Sequence, residues 1–175
     1  MEMPNNPLFK NRYRVSSARL RSWDYRWAGV YSITICTLGR VRWLGEVRGE
    51  QVCLSTMGEV VAEEWEKIPR RHSRVSLDQW IIMPDHIHGI LIFQGNPKEG
   101  PSPEQPSLLL AESLGAVIGQ FKSKVTKRIC WGLRLRAFAW QERFHDTVVR
   151  DLEALERLRA YIRDNPLRWA RKQKK

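Results

Sequence analysis

Residues 80–93 read Trp80-Ile-Ile-Met-Pro-Asp-His-Ile-His-Gly-Ile-Leu-Ile-Phe93 and contain two apolar runs on either side of a Met-Pro-Asp turn. Runs of β-branched and aromatic residues bounded by turn residues are typical of strands. We therefore predict one strand over Val75–Met83 and a second over His86–Phe93, joined by the turn. The apolar residues on both sides of the turn place this segment at the buried centre of a sheet.

Two of the four histidines of the chain lie one residue apart, in the sequence His86-Ile87-His88. Alternate residues of a strand point to the same face, so the two imidazoles should project side by side while Ile87 packs into the core. Two imidazoles at this spacing can share one metal ion, although a pair of surface histidines beside a turn has the same spacing. The apolar surroundings favour the metal site, because polar side chains held at a sheet centre need a partner.

The other predicted elements are strands and helices in an order that is typical of an α+β domain. Pro69 is expected to close the first helix. The whole set predicts a two-layer sandwich, with an antiparallel sheet and helices packed mainly on one face. Its further members are a strand over Tyr31–Thr37, a hairpin over Val41–Val47 and Gln51–Leu54, and helices over Gly58–Ile68, Leu108–Trp131 and Asp151–Asp164.

The length of 175 residues fits one domain, residues 1–175, and the 42% hydrophobic content is sufficient for a single packed core. Three segments differ from the rest of the chain in composition. Residues 1–28 form a basic N-terminal arm, residues 95–107 form a Pro-rich loop, and residues 166–175 form a basic tail, of which we expect Arg171–Lys175 to fray.

The formal net charge of +11 and the isoelectric point near 10.1 favour a polyanionic partner. Residues 120–175 contain sixteen Lys/Arg and six Asp/Glu, whereas residues 51–119 contain five Lys/Arg and nine Asp/Glu. A single charge run is usually a solvated surface. An excess over the whole C-terminal third instead indicates contact with nucleic acid phosphates.

The three cysteines, Cys36, Cys53 and Cys130, are odd in number, far apart and without a Cys-x-x-Cys pair. This spacing argues against a disulfide framework and against a zinc–cysteine site. The N-terminus has no apolar signal-peptide core, and no apolar run approaches the length of a membrane span. We therefore expect a cytoplasmic protein without a membrane partner.

A second candidate for chemistry is the segment Tyr161-Ile-Arg-Asp-Asn-Pro166 near the C-terminus. Residues four apart share a helix face, so Tyr161 and Asn165 should point the same way. Proline disfavours the helical conformation of the residue before it, so Asn165 should lie at the helix end with its amide turned inward. From the residues alone, a core tyrosine followed by an asparagine cap is the alternative interpretation.

The chain resembles the REP-associated tyrosine transposases, which belong to the single-tyrosine HUH transposases, where HUH stands for His-hydrophobic-His. The resemblance spans most of the chain. Its specific part is the block Met-Pro-x-His-hydrophobic-His, followed about 75 residues later by Tyr-Ile-x-x-Asn-Pro. The segments that carry it are Tyr31-Ser-Ile-Thr-Ile-Cys-Thr37, Trp80–Gly89, Ile118-Gly-Gln-Phe-Lys-Ser123, Trp140-Gln-Glu-Arg-Phe-His-Asp146 and Tyr161–Pro166.

This resemblance implies a ferredoxin-like, RRM-like HUH domain that nicks and rejoins single-stranded DNA on REP-like hairpins. It implies that His86, His88 and Asn165 are the metal ligands, with Mg²⁺ or Mn²⁺ as the ion. It also implies that Tyr161 is the nucleophile, which would form a 5′-phosphotyrosine and leave a free 3′-hydroxyl. A second 3′-hydroxyl could then reverse the step, so the implied enzyme is a metal-dependent endonuclease and strand transferase of the transposase type.

Further residues are candidates for assisting this site. A tyrosine hydroxyl is protonated at neutral pH, so a base or cation must help, and His145 and Lys122 are candidates. Gln120 and His145 are candidates for supporting the metal ligands. The predicted DNA contacts are the basic residues Lys122, Lys124, Lys127, Arg128, Arg134 and Arg136 and, for stacking on unpaired bases, Trp23, Trp27 and Trp140.

Three alternative functions fit the sequence less well. A catalytically silent protein that binds single-stranded or hairpin DNA would not require two histidines, a tyrosine and an asparagine in this pattern. A histidine-triad nucleotide hydrolase needs a third alternating histidine, but the residue at that position is Ile90. An RRM-type RNA-binding domain would carry aromatic residues on the sheet face in place of the histidines. The oligomeric state stays open, with a homodimer as one alternative.

Overall fold

Four strands form an antiparallel sheet in a computed structural model that describes residues 28–95 and 113–173. Most of the predicted N-terminal arm and Pro-rich loop, including Trp23 and Trp27, lies outside the described residues. The sheet consists of β1 (Gly29–Cys36), β4 (Val75–Met83), β5 (His86–Phe93) and β6 (His145–Val149) in the order β4-β5-β1-β6, and a separate hairpin consists of β2 (Gly45–Arg48) and β3 (Gln51–Leu54).

The helices begin where the sequence supplies capping residues. Ser55, Ser113 and Asp151 each precede a helix, and each side chain accepts a hydrogen bond from a backbone N–H three residues later. A single π-helical turn, Arg128–Gly132, follows the long central helix. The helices are α1 (Thr56–Glu66), α2 (Ile68–Arg71), α3 (Leu114–Lys127), α4 (Leu152–Arg163) and α5 (Asn165–Gln173).

Two expectations about helix ends are wrong. Pro69 does not close α1, because α1 already ends at Glu66. Pro69 lies in the first turn of α2, where a backbone N–H would make no hydrogen bond within the helix, so proline is tolerated there. The fraying predicted for Arg171–Lys175 is wrong for Arg171, Lys172 and Gln173, which form the last residues of α5. The strand β6 was not expected either, and it completes the sheet by pairing with β1.

The main core lies on one face of the sheet. Tyr31 of β1 and Ile87 of β5 are fully buried there beneath α1 and α3. Trp65 of α1 and Phe121 of α3 meet edge to face above them, with ring centroids 5.1 Å apart. The predicted α+β sandwich with helices mainly on one face is therefore confirmed.

A smaller apolar cluster lies on the opposite face of the sheet. Ile90 of β5 packs there with Leu155 and Ile162 of α4. Because His86 and His88 share the parity of Ile90 along β5, they point to this same face. The cluster therefore holds α4 over the face that carries the histidines.

Gly89 of β5 allows α1 to approach the sheet closely. A β-carbon at Gly89 would lie 2.4 Å from Cζ2 of Trp65, a ring that is fully buried and cannot move aside. We expect Gly89→Ala to lower the free energy of unfolding by about 1–3 kcal/mol through overpacking. Gly119→Ala is the matched control: a β-carbon added at Gly119 in α3 would meet no atom of another element within 4 Å, so alanine there should raise stability by about 0.5–1 kcal/mol. Urea unfolding measures the change in the free energy of unfolding for each variant. Equal effects of the two substitutions would contradict the close contact between Gly89 and Trp65.

Candidate active site

The two histidines predicted to bind a metal project side by side from the start of β5. Their ring centroids are 4.6 Å apart, and His86 is buried while His88 is half-buried. Nδ1 of His86 lies 2.5 Å from Oδ1 of Asp85, and Nδ1 of His88 lies 2.7 Å from Oγ1 of Thr34 on β1. These bonds leave Nε2 of each ring available to a metal, which is the usual way that a second partner orients a histidine ligand.

The electrostatic setting keeps His88 neutral. Burial, followed by the electrostatic influence of the neighbouring His86 and Arg40, lowers the pKa of His88 to about 3. A neutral imidazole is the form that binds a metal ion, so His88 is in the required state at neutral pH. Burial by itself would raise the pKa of Asp85, but its hydrogen bond and electrostatic interaction with His86 and the positive charge of Arg40 hold that pKa below its ordinary value. Asp85 is therefore an anionic partner for His86.

Tyr161 stands over the histidines from α4. Its ring meets the His88 ring edge to face, with centroids 5.4 Å apart, and the tyrosine is 39% exposed. The guanidinium carbon of Arg168 on α5 lies 5.0 Å from the centre of the Tyr161 ring. The predicted nucleophile is thus accessible to a ligand, next to a predicted metal ligand and beside a positive charge.

Asn165 lies at the junction of α4 and α5, where Asp164 separates the two helices. It is buried, as expected for an amide turned inward. Within residues 28–95 and 113–173 there is no group of three His, Cys, Asp or Glu side chains that could hold a metal. A third protein ligand would therefore have to come from another residue type, and the amide of Asn165 is a chemically suitable one.

A second aromatic ring lies next to the histidines from α5. The Trp169 ring centroid is 6.0 Å from that of His86, and Arg42 places its guanidinium carbon 5.4 Å from the Trp169 ring. Trp169 was not expected at this place, because no helix was predicted after Asp164 and residues 166–175 were predicted only as a basic tail. The spacing Tyr161, Asn165, Trp169, in steps of four residues, is the signal that could have found it.

An ion pair fixes α4 against the edge of the sheet. Arg159 donates from Nε to Oδ1 of Asp78 at 3.0 Å and from Nη2 to Oδ2 at 2.6 Å. Asp78 belongs to β4 and Arg159 lies two residues before Tyr161. This two-pronged contact limits the rotation and sliding of α4, and so it positions Tyr161 over His88.

We expect Asp78→Asn to lower stability at neutral pH and to have little effect in acid. The hydrogen bond from Arg159 holds the pKa of Asp78 below its ordinary value, although burial opposes the shift. The pair therefore stabilises the fold above the unfolded-state pKa of about 3.9, and this contribution is lost as the pH falls through the folded-state pKa. Urea unfolding at a series of pH values measures the difference from the wild type. Glu156→Gln, which removes an exposed partner of the same arginine, is the control with little expected effect.

The candidates for activating Tyr161 lie at different places. His145 of β6, Thr34 of β1 and His88 of β5 form one row across the sheet, so His145 shares the face of the predicted metal ligands, two strands away from His88. Lys122 lies on α3, and its Nζ donates to the carbonyl oxygens of Gln141 and Glu142 at 2.6 and 2.9 Å. Burial lowers the pKa of Lys122, but its hydrogen bonds hold it in a structural role.

The other predicted residues do not gather at the histidines. Oε1 of Gln120 accepts a hydrogen bond from Nε2 of His72 at 3.0 Å, and this bond links α3 to the end of α2. Arg128 donates to Glu63 and Glu64 of α1 at 2.7 and 2.9 Å. Trp140 is buried and packs on Phe138 and Phe121, which makes it a core residue. The predicted DNA contacts Lys124, Lys127, Arg134 and Arg136 are exposed along the second half of α3 and the segment after it.

In the part of the chain that the structure describes, none of the helices has the length and apolar character needed to cross a membrane.

Comparison with known proteins adds the fold relationship. No protein-family model matches the chain. An uncharacterized protein of Haemophilus influenzae (strain Rd) is 29% identical over 166 residues, which cover 90% of this chain and 91% of that protein. Two solved structures are also similar. A REP-associated tyrosine transposase bound to a REP hairpin is 18% identical, with a TM-score of 0.60 over 87% of this chain and 74% of that chain. A proposed transposase from Deinococcus radiodurans R1 is 16% identical, with a TM-score of 0.41 over 82% of this chain and 94% of that chain. The resemblance seen in the sequence is therefore confirmed at the level of the fold, which is that of a REP-associated tyrosine transposase.

Proposed function

We propose that this protein is a metal-dependent single-stranded DNA endonuclease and strand transferase of the transposase type. The observation that carries the proposal is the contact between Tyr161 and His88, whose ring centroids are 5.4 Å apart although the residues belong to different elements. A tyrosine hydroxyl and two histidines with oriented rings therefore lie together on one sheet face, and the buried amide of Asn165 follows at the end of the helix that carries the tyrosine. These are the parts that phosphodiester transesterification by a tyrosine requires.

His86 and His88 would hold a divalent cation through Nε2, with Asn165 as a third ligand. Their Nδ1 atoms already have partners, and the setting of His88 keeps that ring neutral, so the donor set fits a bound ion. A bound Mg²⁺ or Mn²⁺ would supply charge stabilisation at the non-bridging oxygens of the scissile phosphate. Water and phosphate oxygens would complete the oxygen-rich coordination that these ions prefer.

In the proposed reaction, Oη of Tyr161 attacks the phosphorus in line with the 3′-oxygen. The Oη–P bond forms, the P–O3′ bond breaks, and the 3′-oxygen takes up a proton to become a free 3′-hydroxyl. The phenol proton leaves to a base, for which His145 on the same sheet face is placed better than Lys122. Attack of another 3′-hydroxyl on the phosphotyrosine reverses these steps and restores the tyrosine, so rejoining needs no external energy source.

The proposed substrate is an unpaired strand next to a DNA hairpin. The net charge of +11 fits a polyanion, and the 39% exposed Tyr161 and the half-buried His88 lie where a DNA strand can reach them. The transposase of similar fold is bound to a REP hairpin, which supports a hairpin as the structural context. An unpaired strand is also required because a scissile phosphate inside a duplex would be held away from a tyrosine packed against the sheet.

The direct test uses labelled single-stranded hairpin DNA from the flanks of the gene. The protein should form a covalent adduct that survives denaturing electrophoresis in Mg²⁺ or Mn²⁺, and should release a strand with a 3′-hydroxyl. Chelation should abolish both products without abolishing binding, because phosphate contacts supply most of the affinity. Tight binding of the hairpin with no adduct in any of these metals would instead favour the catalytically silent DNA-binding function.

A further inference from the structure

We propose that a groove beyond α3 binds the unpaired strand that flanks the scissile phosphate, with one base stacked on Trp131. The inference rests on the proposed function, because it takes DNA as the partner. The groove has a volume of about 480 Å³ and lies outside the site of Tyr161 and the histidines. Its lining includes Lys122, Ser123, Lys127, Trp131, Gln141 and Glu142.

Trp131 is the aromatic residue of this groove that packing does not explain. It is 71% exposed in the turn that follows α3, whereas Trp140 at the floor of the groove is 8% exposed and packs in the core. The guanidinium carbon of Arg136 lies 5.5 Å from the centre of the Trp131 ring and covers one of its faces. An indole held by an arginine on one side, with a flat apolar face toward solvent, is a platform on which a base can stack.

The charges around Trp131 fit a phosphate backbone. In residues 28–95 and 113–173, no carboxylate forms an ion pair with Lys124, Lys127 or Arg136, whereas the neighbouring Arg128 is paired with two glutamates of α1. Glu142 is the single acidic residue of the lining, and its backbone carbonyl accepts from Lys122. Lys127 in the lining and Arg136 over the ring therefore place cations without a carboxylate partner beside Trp131, which is the combination that single-stranded DNA contacts use.

The groove connects to the histidines around the end of β1. On one side of that strand end, Cys36 pairs with His86; on the other, its carbonyl oxygen accepts from the backbone N–H of Gln141 at 2.9 Å. Neighbouring strands lie about 4.8 Å apart, so the backbones of His86 and Gln141 are separated by roughly 10 Å. The groove and the histidines therefore lie on either side of the last residue of β1, close enough for one DNA strand to contact both.

The proposal is tested by binding of two lengths of unstructured oligothymidylate, measured by fluorescence anisotropy. For an oligonucleotide long enough to reach from Tyr161 to Trp131, Trp131→Ala should weaken binding about tenfold. For a short oligonucleotide that fills only the site of Tyr161, the same substitution should have no effect. Trp131→Phe should restore most of the loss, because phenylalanine keeps an aromatic face, and Leu135→Ala should bind like the wild type as a control at a nearby exposed residue.

Base stacking is separated from a general loss of structure by abasic sites. Abasic sites are placed in the half of the long oligonucleotide that reaches Trp131. They should weaken binding by the wild type to the level of Trp131→Ala, and they should not weaken binding by Trp131→Ala any further. Equal binding of the long oligonucleotide by wild type and Trp131→Ala would overturn this inference alone. If Trp131→Ala changes the sedimentation coefficient relative to the wild type but leaves the DNA affinity unchanged, Trp131 contacts a protein partner and not DNA, which would also overturn the inference. A wild-type protein that binds none of the oligonucleotides would overturn the proposed function as well.

Discussion

Replacing Tyr161 with phenylalanine should remove the covalent protein–DNA adduct completely while leaving DNA binding and folding nearly unchanged. The substitution deletes one oxygen and keeps the ring that contacts His88 and Arg168. Because Tyr161 is 39% exposed, loss of its hydroxyl leaves no buried polar group without a partner. The loss of activity would therefore report the missing nucleophile and not a damaged fold. Denaturing gels of labelled hairpin DNA measure the adduct, and anisotropy measures binding of the same DNA.

The remaining three tyrosines supply the controls for this experiment. Tyr31 is fully buried on the main core side of the sheet, where its ring meets Phe93 with centroids 5.3 Å apart, so no DNA strand can reach it. Tyr13 and Tyr25 lie outside the described residues, and Tyr13→Phe and Tyr25→Phe should keep the adduct. An adduct that persists in Tyr161→Phe, or whose peptide maps to another tyrosine, would show that the nucleophile has been assigned to the wrong residue.

The predictable parts of the fold are those fixed by local periodicity. The alternation of His86, Ile87 and His88 gives the face of each side chain wherever a strand forms, and the structure places them accordingly. In the same way, Asp151 as a cap and the helical spacing of Leu155 and Ile162 predict α4 almost to the residue. Both pieces of the candidate site could therefore be found from sequence before their contact was known.

The contact between these pieces depends on pairings that the sequence pattern does not encode. The edge strand β6 is only five residues long, and its pairing with β1 joins segments more than a hundred residues apart. The helix α5 has a basic composition that suggests solvation, yet Trp169 packs beside His86 and gives it an anchor. Tertiary contacts decided both cases, and they can override local composition.

The distribution of charge along the sequence also leaves the role of individual residues undecided. Counting Lys and Arg predicts a DNA-binding surface around α3, but it cannot tell a phosphate contact from an internal ion pair. Arg128 is held by Glu63 and Glu64, and Arg159 is held by Asp78, so these arginines stabilise contacts between elements of the fold. Lys124 and Lys127 have no such partner among the described residues, and they remain the stronger candidates for DNA contact.

The second large effect is expected at the proposed metal ligands, His86 and His88. His88→Ala and His86→Ala should each reduce metal-dependent cleavage to the level seen with chelator, while the hairpin still binds. Each substitution removes an Nε2 donor, and a divalent cation with one imidazole fewer would lose both affinity and orientation. Binding should survive because the exposed basic residues of α3 lie elsewhere on the surface. Cleavage is measured across a titration of Mg²⁺ and of Mn²⁺, so that weakened metal binding appears as a shifted metal requirement.

Thr34→Val separates the role of a ligand from that of its support. Thr34 contacts Nδ1 of His88 at 2.7 Å, so valine removes the hydrogen bond that orients the ring but keeps the Nε2 donor. Loss of such an orienting partner typically costs about 10–100-fold in metal affinity or activity, so excess metal should recover part of the cleavage by Thr34→Val. Excess metal should not recover His88→Ala, because no donor replaces the missing nitrogen. Full cleavage by either histidine variant in the presence of chelator would remove the metal from the mechanism and leave the histidines with a purely structural role.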